Sequence, residues 1–192
     1  MSEPLRAMMI GAHPDDVDIC TCGITKRLVS KGCIVRFVSM TTGNAGHQTM
    51  RGEELIKTRA AEAQKSAAYL GATYEILPFD DGRLTPSLEA RETLMRTIRS
   101  FKPDVIFTNR ACDYHPDHRA TGQLVQDCSY LMGVPDDVRL KTADGAHEPP
   151  ARRTTTAKRY FTSSAATPPS FSIGFRGQMT TWISPVKRMR SA

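Results

Sequence analysis

The chain of 192 residues is predicted to be an α/β protein, an open and mostly parallel sheet covered by helices on both faces. Three observations predict it. Short apolar runs alternate with amphipathic stretches four times before residue 133. Glycine or proline punctuates the junctions between them. The aliphatic content then stops, with 27 Leu, Ile and Val in residues 1–150 and 3 in residues 151–192. Strand and helix in alternation give parallel neighbours, because a parallel pair needs the long crossover that a helix supplies.

The elements follow in order. Ala7–Ile10 is a buried-strand run, and Gly23–Lys31 reads as a helix closed by Gly32. Ile34–Met40 is a second strand, rich in β-branched residues. A loop with Gly43, Gly46 and Gly52 leads to a helix over Glu53–Leu70, whose Leu55, Ile56, Ala60, Ala63, Ala67 and Leu70 share one face before Gly71 stops it. Thr73–Leu77 is the third strand. Thr85-Pro86 carries the chemistry of a helix start, and Leu88, Leu94, Met95, Ile98 and Phe101 continue the apolar face as far as Lys102-Pro103. Val105–Thr108 is the fourth strand and Pro116–Met132 the fourth helix. The usual doubly wound order, 3-2-1-4, makes strands 1 and 4 neighbours, so a ligand crevice is expected just after Ile10 and just after Thr108.

The formal charge of +6 and pI of 9.2 suggest a polyanion binder only until the charge is located. Residues 1–150 hold 18 Lys and Arg against 20 Asp and Glu, while residues 151–192 hold 8 basic residues and no acid. The body is slightly acidic, and no nucleic-acid partner is expected for it. No stretch approaches the ~20 apolar residues of a membrane span, and Ala7–Ala12 is too short for a secretory signal. Five cysteines without a C-x-x-C pair are read as reduced, mostly buried thiols of a cytoplasmic protein.

At the predicted crevice stand Ala12-His13-Pro14-Asp15-Asp16, after strand 1, and His115-Pro116-Asp117-His118, after strand 4. Three of the five histidines thus converge with carboxylates on one place. Imidazole and carboxylate are ligands for a divalent ion, and a catalytic zinc takes about three protein ligands and keeps a position for water. His13 and Asp16 can bind one ion together across a proline-stiffened turn, and His118 can complete the set from the facing helix. Asp15 is then free for proton transfer. Each motif alone also reads as a turn with a capping Asp; it is their pairing that favours a metal site.

These two motifs resemble the LmbE-like, PIG-L-type N-acetylglucosaminyl deacetylases, metal-dependent amidohydrolases on a Rossmann-like sheet. Thr42-Gly43, Arg59-x-x-Glu62, Leu70-Gly71 and Asp81-Gly82 between the motifs resemble the same family. The resemblance implies His13, Asp16 and His118 as metal ligands and Asp15 as catalytic base. It also implies His115 as the group assisting at the oxyanion, held by Asp117, with Arg59 and Asp81 contacting the sugar. The implied cofactor is Zn2+, with Fe2+ or Mn2+ as substitutes, and the implied partner is a small-molecule N-acetylglucosaminide; a homo-oligomer stays open. The alternative is a catalytically idle metal-binding or interaction protein of the same fold.

The resemblance covers about residues 7–135, so residues 1–135 are read as the deacetylase-like domain. Residues 136–192 form an atypical, basic, Ser/Thr/Pro-rich tail, expected to build little ordered core of its own. A change of reading frame near residues 135–150, a truncated relative, a disordered extension and a small hairpin of Phe171–Phe175 with Gln178–Ile183 each fit that break.

Overall fold

In the computed structural model of the chain, the described residues are 3–132 and two strands at 159–163 and 172–174. The first strand, β1 (Arg6–Gly11), is buried along nearly its whole length because it lies in the middle of the sheet. It is followed by α1 (Asp16–Ser30), β2 (Ile34–Thr41), α2 (Gly52–Leu70), β3 (Thr73–Phe79), α3 (Leu88–Phe101), β4 (Val105–Asn109) and α4 (Pro116–Leu131). β1 runs parallel to β2 on one side and to β4 on the other, with Ile10 opposite both Val38 and Thr108. The predicted order 3-2-1-4 is therefore the observed one, and β1 and β4 end side by side.

Alternation along β1 divides its four apolar residues between two cores. Met8 and Ile10 pack with Val38, Met40, Leu94, Ile98 and Leu124 under α3 and α4. Ala7 and Met9 pack with Phe37, Val17, Ala63 and Ala67 under α1 and α2. Fully buried side chains such as Leu94 and Ile98 contribute roughly 1.5–3 kcal/mol each relative to exposure. This two-sided burial makes the strand ends at the crevice a rigid platform.

Two helices begin elsewhere than the sequence indicates. α1 starts at Asp16, seven residues before Gly23, because part of its inward face is hydroxyl-bearing. Thr21 and Thr25 are buried, and Thr21 Oγ1 donates to the Val17 carbonyl at 2.6 Å, which satisfies the hydroxyl but hides the apolar period. α3 starts at Leu88, not at Thr85-Pro86, because Ser87 is the residue whose hydroxyl accepts the Ala90 N–H, at 3.1 Å.

The tail region contributes strands that its composition does not announce. β5 (Arg159–Ser163) adds to β4 in parallel, and β6 (Ser172–Gly174) pairs with β5 antiparallel, giving the order β3-β2-β1-β4-β5-β6. Pairing to an open sheet edge uses backbone hydrogen bonds, so it needs no aliphatic run. The expected hairpin partner, 178–183, lies outside the described residues. The cysteines are expected from the sequence to be mostly buried, but only Cys128 is; Cys20, Cys22 and Cys112 are exposed. Among the described residues no helix is long and apolar enough to cross a membrane.

Candidate active site

The turn after β1 is fixed at almost every peptide. Asp16 folds back so that its Oδ2 accepts the N–H groups of Ala12 and His13 at 2.8 and 3.0 Å. The Ala12 carbonyl accepts from both the backbone N–H and the hydroxyl of Thr41, and the Tyr74 hydroxyl donates to the Pro14 carbonyl at 2.7 Å. Gly11 makes the fold-back feasible: a Cβ there would stand 2.8 Å from the Asp16 Cβ.

The turn after β4 is seated on α4 in a comparable way. A Cβ at Gly122 would lie within 2.7–2.9 Å of backbone atoms of Asn109, Arg110 and Ala111, so only glycine lets this loop rest on the helix. His115 caps α4, its Nδ1 accepting the Asp117 N–H at 3.2 Å. One turn of helix then brings His118 to Asp16, with Nε2 3.3 Å from Oδ1. A third loop closes the group. Asp117, fully buried, accepts from the N–H groups of Gly82 and Leu84 at 2.6 and 3.3 Å, and Asp81 Oδ1 lies 3.1 Å from His13 Nε2.

All eight residues singled out in the sequence meet here, although not all in the expected pairs. His13, Asp15, Asp16, Arg59, Asp81, His115 and His118 line one open cleft of about 350 Å³, with Asp117 beneath it. The Asp117 carboxylate does not hold the His115 ring; it sits 3.3 Å from His13 Nε2 and on the loop after β3. Arg59 reaches from α2 to Asp15 Oδ2, at 3.4 Å, and to the Gly46 carbonyl. Asp15 is half-exposed and faces the cleft. His47, in the glycine loop, turns back on that loop, its Nδ1 accepting from Met50 at 2.9 Å. Asp113 is the site residue that sequence reasoning misses. It is 3% exposed at its side chain, with Oδ1 3.2 Å from His118 Nδ1, and its spacing of five from His118 matches no facing pair on a helix.

The charges are strongly coupled. Burial works against an imidazolium at His13, but the hydrogen bond to Asp16 and the charges of Asp16, Asp81 and Asp117 outweigh it, raising the pKa to about 9. His118 is raised in the same way, against its burial and chiefly by Asp16. Asp16, despite burial, is held far below the carboxylate range by the two histidines. His115 is lowered by burial and by the neighbouring charges of His13 and His118.

This donor set fits a divalent ion. Bonds of about 2.0–2.1 Å in a tetrahedron put ligand atoms about 3.3 Å apart. Asp16 Oδ2 stands 3.5 Å from His13 Nδ1 and Asp16 Oδ1 stands 3.3 Å from His118 Nε2, so the two histidines meet different oxygens of one carboxylate. The opposite nitrogen of each ring faces carboxylate, His13 Nε2 on Asp81 and Asp117 and His118 Nδ1 on Asp113, as outer-shell support of a metal-binding histidine requires. Among the described residues, the groups whose ligand atoms all lie within 4.8 Å of one another are His13 with His115 and His118, and His13 with Asp81 and Asp117; both contain His13 and neither contains Asp16. Asp117 is the weaker ligand candidate, since both its oxygens already accept backbone N–H groups.

The chain is similar to several known proteins. Diacetylchitobiose deacetylase of Thermococcus kodakarensis is 30% identical over 137 residues, covering 68% of this chain and 51% of that protein. Mycothiol S-conjugate amidase of Streptomyces coelicolor is 31% identical over 150 residues, covering 65% and 51%. The chain thus spans about half the length of these curated relatives. The structure of N,N'-diacetylchitobiose deacetylase from Pyrococcus horikoshii superimposes with a TM-score of 0.72 at 29% identity, covering 82% of this chain and 59% of that one. The family profile described as "PIG-L: GlcNAc-PI de-N-acetylase" matches residues 8–129, from β1 through almost all of α4 and so across both turns of the cleft, and the chain belongs to that family.

Proposed function

We propose that the chain is a metal-dependent hydrolase that removes the N-acetyl group from an N-acetylglucosamine-containing substrate, releasing acetate and an amino sugar. The observation that carries this reading is the meeting of His13, Asp16 and His118 beside a half-exposed Asp15 in one open cleft. A divalent ion held by these three residues, zinc or alternatively iron or manganese, would supply Lewis acidity toward the acetamide carbonyl and toward water.

The remaining chemistry belongs to the side chains. Asp15, whose carboxylate is paired with Arg59 at 3.4 Å, takes the proton of the attacking water and returns it to the nitrogen as the C–N bond breaks. His115 has its Nδ1 fixed as an acceptor by the Asp117 N–H, so its neutral ring carries hydrogen on Nε2 and donates to the developing oxyanion. Arg59 and Asp81, both on the cleft wall, contact the sugar hydroxyls, and Arg59 also keeps Asp15 aimed inward. Asp117 supports His13 rather than His115.

The test is acetate release over a small panel of N-acetylglucosaminides, with metal analysis of the same preparation. Turnover together with about one metal per chain is expected. A folded, metal-loaded protein that releases no acetate from any of them would sink the catalytic reading. That same outcome would identify the second reading, a metal-binding protein of this fold without turnover.

A further inference from the structure

His118 is held from two sides. Its Nε2 faces Asp16 within the cluster, and its Nδ1 faces Asp113 Oδ1 at 3.2 Å, away from it. Asp113 lies on the turn after β4. Its Oδ1 also accepts the His115 N–H at 3.4 Å, and its Oδ2 lies 3.6 Å from the Arg110 guanidinium. A carboxylate accepts and does not donate, and each ring nitrogen of His118 faces one, Nε2 on Asp16 and Nδ1 on Asp113; for Nε2 to serve as a metal donor the ring hydrogen must sit on Nδ1, where Asp113 accepts it. Burying a carboxylate carries a desolvation cost that its partners must offset, and an apolar side chain could fill this place without that cost. What an apolar side chain could not do is choose between the two ring nitrogens of His118.

We propose that Asp113 is a positioning residue of the metal centre: it holds His118 in the Nδ1–H tautomer, leaving Nε2 as the donor to a divalent ion, with Arg110 as its counter-charge. The assignment rests on the reading of His118 as a ligand. It extends to His118 the arrangement seen at His13, whose Nε2 lies on Asp81 and Asp117 while Nδ1 faces Asp16. It also gives Gly122 a function at a distance, since that glycine seats the backbone just before Asp113.

The test uses the full chain with Asp113→Ala, Asp113→Asn and Arg110→Ala. Zinc affinity is measured by competition with a chromophoric chelator. The His118 tautomer is read in the metal-free protein from ring nitrogen chemical shifts by NMR, at alkaline pH where the ring is neutral. In Asp113→Ala, zinc affinity is expected to fall roughly 10- to 100-fold, with the tautomer shifted toward Nε2–H, the nitrogen that Asp16 still faces. Asp113→Asn, whose amide oxygen still accepts from Nδ1, is expected to keep the tautomer while losing affinity because the negative charge is gone; Arg110→Ala is expected to lose less. A residue that only braces the loop would lower thermal stability and leave both readouts at their wild-type values, and that result overturns the proposal. Should Asp113→Ala not fold, unchanged zinc affinity in Asp113→Asn overturns it equally. The tautomer measurement needs neither metal nor substrate, so its outcome is separable from acetate release, on which the hydrolase reading depends.

Discussion

Asp16 and His118, one at the turn after β1 and the other in the helix that follows β4, meet with Oδ1 and Nε2 3.3 Å apart. The other oxygen of Asp16 is occupied by the N–H groups of Ala12 and His13. One carboxylate therefore ties the turn after β1 to the first turn of α4, and its substitution disturbs both the loop and the cluster. The cleaner probes of the centre are the residues that do only one of these things.

His118→Ala removes a donor and leaves the β1 turn intact. It is expected to lower bound zinc well below one per chain and to abolish acetate release. Asp15→Asn is expected to keep zinc while slowing turnover by roughly 10²- to 10⁴-fold, the usual contribution of a general base. Metal analysis and initial rates on the same samples check the split. Loss of zinc in Asp15→Asn would remove Asp15 from its role as base alone.

The glycines offer a paired stability test. Gly122→Ala drives a methyl group into the backbone of Asn109 to Ala111, and destabilisation of about 1–3 kcal/mol is expected, with weakened zinc binding because Asp113 and His118 flank that loop. Gly23 sits inside α1, where an added Cβ would meet no described atom within 4 Å, so Gly23→Ala is expected to stabilise by roughly 0.5–1 kcal/mol. Urea unfolding of both variants checks the opposite signs.

The pH dependence of stability is expected to reverse with metal. In chelator, His13 has a pKa of about 9 against an ordinary 6.5, so the folded state holds the proton more tightly. Its contribution is complete below pH 6.5 and is lost as pH rises toward 9. His118 acts in the same sense, and His115, lowered, acts in the opposite one. Asp16, held low, contributes above its ordinary 3.8 and loses that contribution as pH falls through the acid range. In saturating zinc the ligands must be deprotonated, so stability is expected to rise with pH over the same 6.5–9 window. Thermal melts at several pH values, with chelator and with zinc, check it; parallel slopes would contradict the assignment of His13 to the centre.

Ser87→Ala tests the start of α3, which the Thr85-Pro86 chemistry places two residues too early. Loss of the hydroxyl that accepts the Ala90 N–H is expected to cost about 1 kcal/mol. Thr85→Ala is expected to cost less, and urea unfolding of the two variants decides which residue caps the helix.

Much of the site is legible in the sequence because its residues stand in two short motifs at strand ends. His13-Pro14-Asp15-Asp16 and His115-Pro116-Asp117-His118 carry their chemistry in adjacent letters, and the alternation of elements implies a parallel sheet, for which the usual doubly wound order puts the two motifs side by side. The rest is not legible because it depends on which groups meet across the fold. Asp117 pairs in sequence with His115, two residues away, yet it accepts from Gly82 and Leu84 and faces His13. The start of α1 is hidden by buried threonines, of which Thr21 satisfies its hydroxyl within the helix.

The sequence by itself determined the alternation of strands and helices and the two His-Pro-Asp motifs at the ends of β1 and β4, because hydrophobic period and motif are local properties. Tertiary structure alone decided which nitrogen of each histidine faces which carboxylate, brought Asp113 behind His118, and joined β5 and β6 to the sheet edge. Those are long-range choices, made by backbone hydrogen bonds and by space left at Gly11 and Gly122, and neither leaves a periodic mark along the chain.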